Sequence, residues 1–301
     1  MIMFRKILAA FFGATLAACT PAPPPATADA PPQGRPALWK LADEDTTIWL
    51  FGTIHALPPG YQWRDARIDE AIAESDALVI EAVLDRKDPA KAMALITRLG
   101  MTPGLPPLVD RVPADKRPAL AALVARSKLP PKLLDGMETW SAALMLMPMV
   151  LGDLGLAGGT GVEETLENEF RHAGKPIEGL ETAEQQLGVL DGLPEAAQRE
   201  FLATLADDGG ADREEFEKML TAWSRGDEKG IAASFDTELK DSAVLRGALL
   251  TRRNAAWTEW LKARLDRPGT IFVAVGAGHL AGRESVVRML EAKGLSVERV
   301  Q

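Results

Sequence analysis

Two of the three histidines in this 301-residue chain stand in one short frame, Gly-x-x-His: Gly52-Thr53-Ile54-His55 and Gly276-Ala277-Gly278-His279. An apolar, β-branched run leads directly into each, Ile48-Trp49-Leu50-Phe51 into the first and Thr270-Ile271-Phe272-Val273-Ala274-Val275 into the second. Such runs read as buried strands. Each histidine therefore falls where a strand ends, with a glycine to let the backbone turn. Two imidazoles delivered from two strand ends to one place build a metal centre or an acid–base pair. A single frame of this kind arises often by chance; its recurrence behind the same strand pattern carries more weight. The plainer alternative is a pair of loop histidines bonded to local backbone.

Carboxylates complete the chemistry. Glu81 lies inside Leu78-Val79-Ile80-Glu81-Ala82-Val83. A carboxylate in a buried strand is costly unless paired or metal-bound, the alternative being a place on an exposed strand face. Two imidazoles and one carboxylate make a hydrolytic metal site with positions left for water and substrate. Glu163, Glu164 and Glu167 open a helix just after Gly158-Gly159-Thr160-Gly161. Acids in a first turn answer the helix dipole, but those glycines also permit an approach to the sheet edge that brings Glu163 to the site. Glu178 and Glu181 follow a short strand, where Glu181 or Thr182 can simply cap the next helix. His172 ends a helix that Gly174 terminates and reads as a cap rather than a ligand. Arg253, in Arg252-Arg253-Asn254, has two readings. It turns inward to bind a substrate carboxylate or stabilise an oxyanion, or it belongs to a solvated basic step, which the residues by themselves favour.

The elements that must position these groups are legible as patterns. Leu38–Leu41 and Thr46–Phe51 flank Asp43-Glu44-Asp45 and predict a hairpin. Asp65 to Ser75 has helical spacing, with Ile68, Ala71 and Ile72 on one face, and Ala77 to Val83 reads as a strand. Helical patterns fill most of 88–265, interrupted by a short strand near Pro176-Ile177-Glu178. A strand over 270–275, a helix from about Gly282 to Ala292 and a strand over Leu295–Val300 close the chain. The fold class is α/β: a mixed central β-sheet built from N- and C-terminal segments, carrying a large helical insertion. Ligand sites in open α/β sheets lie beyond the strand carboxyl ends, where both histidines fall.

Composition sets the boundaries. Arg5 and Lys6 precede an apolar stretch, Ile7–Ala18, too short for a stable span, and Leu16-Ala17-Ala18-Cys19 closes it around the only cysteine. This resembles a bacterial lipobox. The expectation is a signal peptide over 1–18, lipidation at Cys19 and an outer-membrane anchor facing the periplasm, since Thr20 is not the aspartate of inner-membrane retention. Residues 19–37, rich in proline and alanine, form a semi-rigid tether, and a single domain is expected over 38–301. Without Cys19 no thiol remains, so metal ligands must come from His, Asp and Glu. Loss of the signal leaves 32 basic against 43 acidic side chains, a charge of −11, which argues against nucleic acid as a partner. Met145–Leu156 is the most apolar later stretch, and Pro148, Gly152 and Asp153 break it.

The same residues carry a family resemblance. Leu38-Trp39-Lys40-Leu41 with Ile48–His55 and Ala77–Glu81 resembles the start of the TraB/GumN family, which includes the Tiki proteins. Gly161-Val162-Glu163-Glu164-Thr165-Leu166, continuing to Gly174-Lys175-Pro176-Ile177-Glu178-Gly179-Leu180-Glu181-Thr182, is similar to its middle signature. Arg253-Asn254-Ala255-Ala256-Trp257 and Val273–His279 resemble its closing motifs. The resemblance implies an EreA/ChaN-like fold and a paired-histidine site with an accompanying Glu and Arg, here His55, His279, Glu81 and Arg253. Tiki members imply a metal-dependent protease using manganese or cobalt; zinc is the further candidate ion. The expectation is a lipid-anchored hydrolase in which His55, Glu81 and His279 hold the metal. Arg253 then steadies an oxyanion, Glu163 serves as general base, and the substrate is a peptide or small molecule. Distant relatives imply two alternatives, a metal-free esterase-like hydrolase and a haem- or metal-binding lipoprotein.

Overall fold

The computed structural model describes residues 34–83, 89–156, 161–206, 209–239 and 242–301. Cys19, the signal segment and most of the tether lie outside the described residues, as do Gly158, Gly159 and Thr160. The chain is already held at Gly34, whose N–H donates to Gln62 O, and at Arg35, whose N–H donates to Ser224 O.

Six strands form one mixed sheet: β1 (Leu38–Ala42), β2 (Thr46–Thr53), β3 (Ala77–Ala82), β4 (Ile177–Glu181), β5 (Gly269–Gly276) and β6 (Val297–Arg299). Their order is β4-β3-β5-β2-β1-β6. β1 and β2 make the expected hairpin, and β6 adds antiparallel to β1. β2, β5, β3 and β4 run parallel, so the carboxyl ends of all four lie along one edge. The fold is α/β as the sequence predicts, with one addition: β4, from inside the helical region, forms the sheet's outer strand beside β3.

Strand alternation sorts the core into two. Trp49, Phe51, Leu78, Ile80, Phe272 and Ala274 face the larger core, built with helices Thr139–Asp153, Val162–His172, Glu195–Thr204 and Gly209–Ser224. Ile48, Leu50, Ala77, Val79, Ile271, Val273 and Val275 face the smaller one, closed by Trp257 and Leu261 of helix Arg252–Arg264 and by Val286, Val287 and Leu290 of helix Val286–Ala292. The central strands are covered on both sides, which is why they read as continuous apolar runs. Burying a side chain such as Phe51 contributes roughly 2–3 kcal/mol.

Local signals explain the element ends. Asp65 caps helix Ala66–Glu74 by accepting from Arg67 N and Ile68 N, and Ile68, Ala71 and Ile72 are its buried face. The last helix starts at Val286 rather than near Gly282, because Ser285 is its cap and Gly282 takes a positive φ of 84°. The apolar Met145–Leu156 stretch belongs largely to helix Thr139–Asp153, which buries Leu146, Met147 and Val150. Among the described residues no helix is long and apolar enough to cross a membrane.

Candidate active site

The four parallel strands end on the residues of interest. Thr53 ends β2 two residues before His55, Glu81 is the penultimate residue of β3, Glu181 ends β4, and Gly276 ends β5 and leads into a 3-10 turn, Ala277–His279. The register pairs Thr53 with Gly276 and Ala82 with Glu181. The two Gly-x-x-His frames are thus one residue out of step, Gly52 lying opposite Val275. Gly52 does not serve the turn: its φ is not positive, and it lies within the strand. A Cβ there would stand 3.1 Å from Ala277 Cα, so its bareness lets the two frames touch.

His55 and Glu163 form the first half of the site. Helix Val162–His172 is docked by Val162 N–H donating to Ile54 O at 3.1 Å. A Cβ at Gly161 would lie 2.0 Å from His55 O, so only glycine permits this approach. It brings Glu163 Oε1 to 2.7 Å from His55 Nδ1, and Thr53 Oγ1 donates to the same oxygen. His55 Nε2 and Glu163 Oε2 are buried with no hydrogen-bond partner. Burial opposes charge on the imidazole, but the charge and hydrogen bond of Glu163 together with the charge of Glu81 raise His55 above its ordinary value of 6.5.

Arg253 organises the second half. A π-helical turn, Gly247–Thr251, precedes its helix and phases it so that Arg253 and Asn254 face inward while Arg252 stays exposed. Arg253 is 3% exposed. Its Nη2 donates to Glu81 Oε2 at 2.7 Å, and its Nε and Nη2 grip Glu181 at 2.8 and 2.9 Å. Its guanidinium stacks 4.5 Å from the Trp257 ring centre, and Trp257 Nε1 donates to Glu181. Asn254 Nδ2 donates to Glu284 O, so its Oδ1 accepts the Nδ1–H of His279 at 2.6 Å. That fixes the tautomer of His279 and leaves its Nε2 lone pair toward Arg253 Nη1 at 3.2 Å. Burial pushes His279 down to about 3, so the ring is neutral.

A family model described as the TraB/PrgY/gumN family matches residues 37–299. The chain belongs to the TraB/PrgY/gumN family. Protein YbaP of Escherichia coli (strain K12), described as uncharacterized, is 26% identical over 241 residues, 80% of this chain and 86% of its own length. The YbaP of Shigella flexneri matches to the same extent. No solved structure matches.

In this TraB/PrgY/gumN chain, Glu81 is buried at 4% exposure rather than turned to solvent. Its Oε1 accepts from Gly276 N and lies 3.7 Å from His279 Nε2; its Oε2 accepts from Gln186 and Arg253. Burial would raise its pKa, but Arg253, followed by His279 and His55, holds it at about 2. The charges of Glu81 and Arg253 also act on His55, so the two halves share one electrostatic site. His172 stays on the surface, its ring on Asn168 O of its own helix. Glu167 is buried and pairs with Arg171. Glu181 and Asn254 are site residues that the sequence reading missed. Thr182, with Gln185, does cap the next helix, whereas Glu181 turns to Arg253.

The donor set can be tested for a cation. Among the described residues no three His, Cys, Asp or Glu side chains are arranged to hold a metal ion. His55 Nε2 is buried without a partner, but Glu163 engages that ring from its Nδ1 side and His279 Nε2 faces Arg253, so the side chains as arranged leave one ligand atom open rather than three. Glu81 and Glu181 both pair with the Arg253 guanidinium, and Glu163 pairs with His55.

Proposed function

We propose that this chain is a hydrolase of peptide, ester or amide bonds whose reaction centre lies between His55 and His279 and takes a divalent ion such as manganese, cobalt or zinc. The observation that carries the reading is His55 itself: its Nδ1 is held by Glu163 while its Nε2 is buried without a hydrogen-bond partner. An ion would take His55 Nε2, and His279 Nε2 once Arg253 moved off it, while Glu163 would orient His55 from its Nδ1 side. When bound, such an ion supplies Lewis acidity and a water acidic enough to attack at neutral pH. Glu81 is better placed as the partner of Arg253 than as a ligand. Thr53 and Asn254 hold Glu163 and His279 in orientation, and Arg253 carries the positive charge that would face a developing oxyanion. The N-terminal segment ending at Cys19 supports a periplasmic, lipid-anchored address for this body.

Metal analysis and calorimetry on the purified protein test the centre. Stoichiometric manganese or zinc binding is expected, and it should be lost in the His55→Ala, His279→Ala double variant. Binding by that variant as tight as the parent's would overturn the assignment.

One observation favours a second reading. His55, oriented by a carboxylate and raised above 6.5, has the arrangement of an imidazole that takes and returns a proton without metal. Hydrolysis that survives exhaustive chelation yet is lost in His55→Ala would select it.

A further inference from the structure

We infer that the corner between helices Arg117–Ser127 and Pro131–Asp135 is a docking surface for an anionic lipid bilayer. Lys128 and Lys132 meet the headgroup phosphates, and Pro130, Pro131 and Leu133 enter the interface beside them. None of these residues belongs to the reaction centre, so the surface does not depend on how that centre works.

Charge singles out this stretch. Residues 111–133 carry six basic side chains and one acidic one, in a chain of net charge −9. Arg111 is an internal brace: buried, it donates to Pro106 O, Met137 O and Asp135 O at 2.8, 2.6 and 2.6 Å and fixes the loops around the corner. Arg117 and Arg126 are exposed and paired with Asp110 and Asp153. Exposed pairs of this kind are weak, so a lipid phosphate can take over either arginine. Lys128 and Lys132 are exposed, and neither pairs with a described carboxylate. The backbone marks Lys128 independently. It is the only described non-glycine residue with a positive φ, 59°, at the point where it ends its helix. Glycine takes that left-handed position at less cost, yet here a long charged side chain occupies it. Leu133 is 39% exposed, and Pro130 and Pro131 beside it are exposed as well. Such side chains gain from the headgroup boundary, while neighbouring lysines extend to the phosphates. A phosphodiester backbone would offer Leu133 nothing, which favours a bilayer over nucleic acid. On the lipid-anchored address proposed above, Cys19 stands 15 residues from Gly34, a reach of at most about 50 Å that keeps the body beside a membrane.

The test floats the purified full chain with vesicles of phosphatidylcholine, alone or mixed with phosphatidylglycerol, at low and at high salt. The parent should prefer the anionic vesicles at low salt and lose that preference at high salt. With Lys128→Gln and Lys132→Gln together, the preference should fall about 5-fold for each lysine removed. Lys229→Gln with Lys262→Gln takes two charges from exposed positions of other helices and should bind as the parent does. Lys128→Gly separates binding from folding. It relieves the left-handed backbone, so its melting temperature should not fall, while its preference drops as for the loss of one lysine. Hydrogen exchange of the vesicle-bound chain should slow over residues 126–133 with phosphatidylglycerol and not without it, however the N-terminal segment engages the vesicle. Equal preference in the parent and the double lysine variant, or unchanged exchange over 126–133, overturns the docking surface. A parent that binds duplex DNA as tightly as the anionic vesicles overturns the bilayer as its partner.

Discussion

His55 Nδ1 stands 2.7 Å from Glu163 Oε1, and the atoms this contact leaves over, His55 Nε2 and Glu163 Oε2, are both buried without a hydrogen-bond partner. Five side-chain atoms among the described residues share that condition, and the others, on Trp49, Ser141 and Gln301, belong to separate residues. Each unmade bond costs about 1–3 kcal/mol. His55 Nε2 faces away from Glu163, so the acid orients the ring while the far nitrogen is left to a ligand.

The acid of that pair should therefore matter to binding more than its neighbours in the same helix. Glu163→Gln keeps the shape but removes the charge that holds the His55 ring through Nδ1. Manganese or zinc affinity should fall at least about 10-fold, with circular dichroism unchanged. Glu164→Gln should bind as the parent does. Equal affinity for the two variants would remove Glu163 from the centre.

Much of this site can be read from residue types. The strand runs before His55 and His279, and the glycines before Glu163, reflect local burial and close approach, which sequence records directly. Less legible was which acid serves which partner. Arg253 turns inward because a π-helical turn rephases its helix, and that one rotation commits Glu81 to an ion pair and leaves Glu163 with a free oxygen. Glu181 was hidden by its neighbour: Thr182 satisfies the capping signal so well that the acid beside it looked spent. Gly52 was placed correctly but explained wrongly, since contact between distant segments is not written in a local frame.

The buried ring of His279 gives the protein an acid-sensitive limb. Its pKa is near 3 in the folded chain against 6.5 for a free imidazole, so below pH 6.5 the unfolded chain takes up a proton that the folded one refuses. Stability falls from there toward pH 3, by up to about 1.4 kcal/mol per pH unit. Glu81, depressed from 4.5 to about 2, acts in the same direction lower down: its stabilisation is present above 4.5 and is lost as pH drops toward 2. Urea denaturation at pH 7, 5.5 and 4 should show the decline, and His279→Gln should flatten it between 6.5 and 5. An unchanged slope in that variant would place the effect elsewhere.

The two adjacent arginines provide a contrast. Arg253→Met would leave Glu81 and Glu181 buried without their counter-ion, a loss of roughly 3–5 kcal/mol. Arg252→Ala, at an exposed position one residue away, should stay within about 0.5 kcal/mol. Thermal melts of both variants decide the point, and similar melting temperatures would mean that Arg253 is not the pivot of the cluster.

The approach of helix Val162–His172 to the sheet yields the sharpest steric prediction. A Cβ at position 161 would fall 2.0 Å from His55 O and 2.6 Å from its carbonyl carbon. Both are backbone atoms, so neither can swing aside as a side-chain tip would. At Gly52 the corresponding distance is 3.1 Å, to Ala277 Cα, which a shift of a few tenths of an ångström relieves. Gly161→Ala must push the helix start away from the sheet, breaking the Val162–Ile54 backbone bond and drawing Glu163 off His55. The expected loss lies at the upper end of the 1–3 kcal/mol typical of overpacking, with cation affinity reduced as in Glu163→Gln. Gly52→Ala should cost less and keep most of the affinity. Denaturation midpoints and calorimetric titration of the two variants check both halves, and a Gly161→Ala protein with the parent's stability and affinity would show that Glu163 reaches His55 without this close approach.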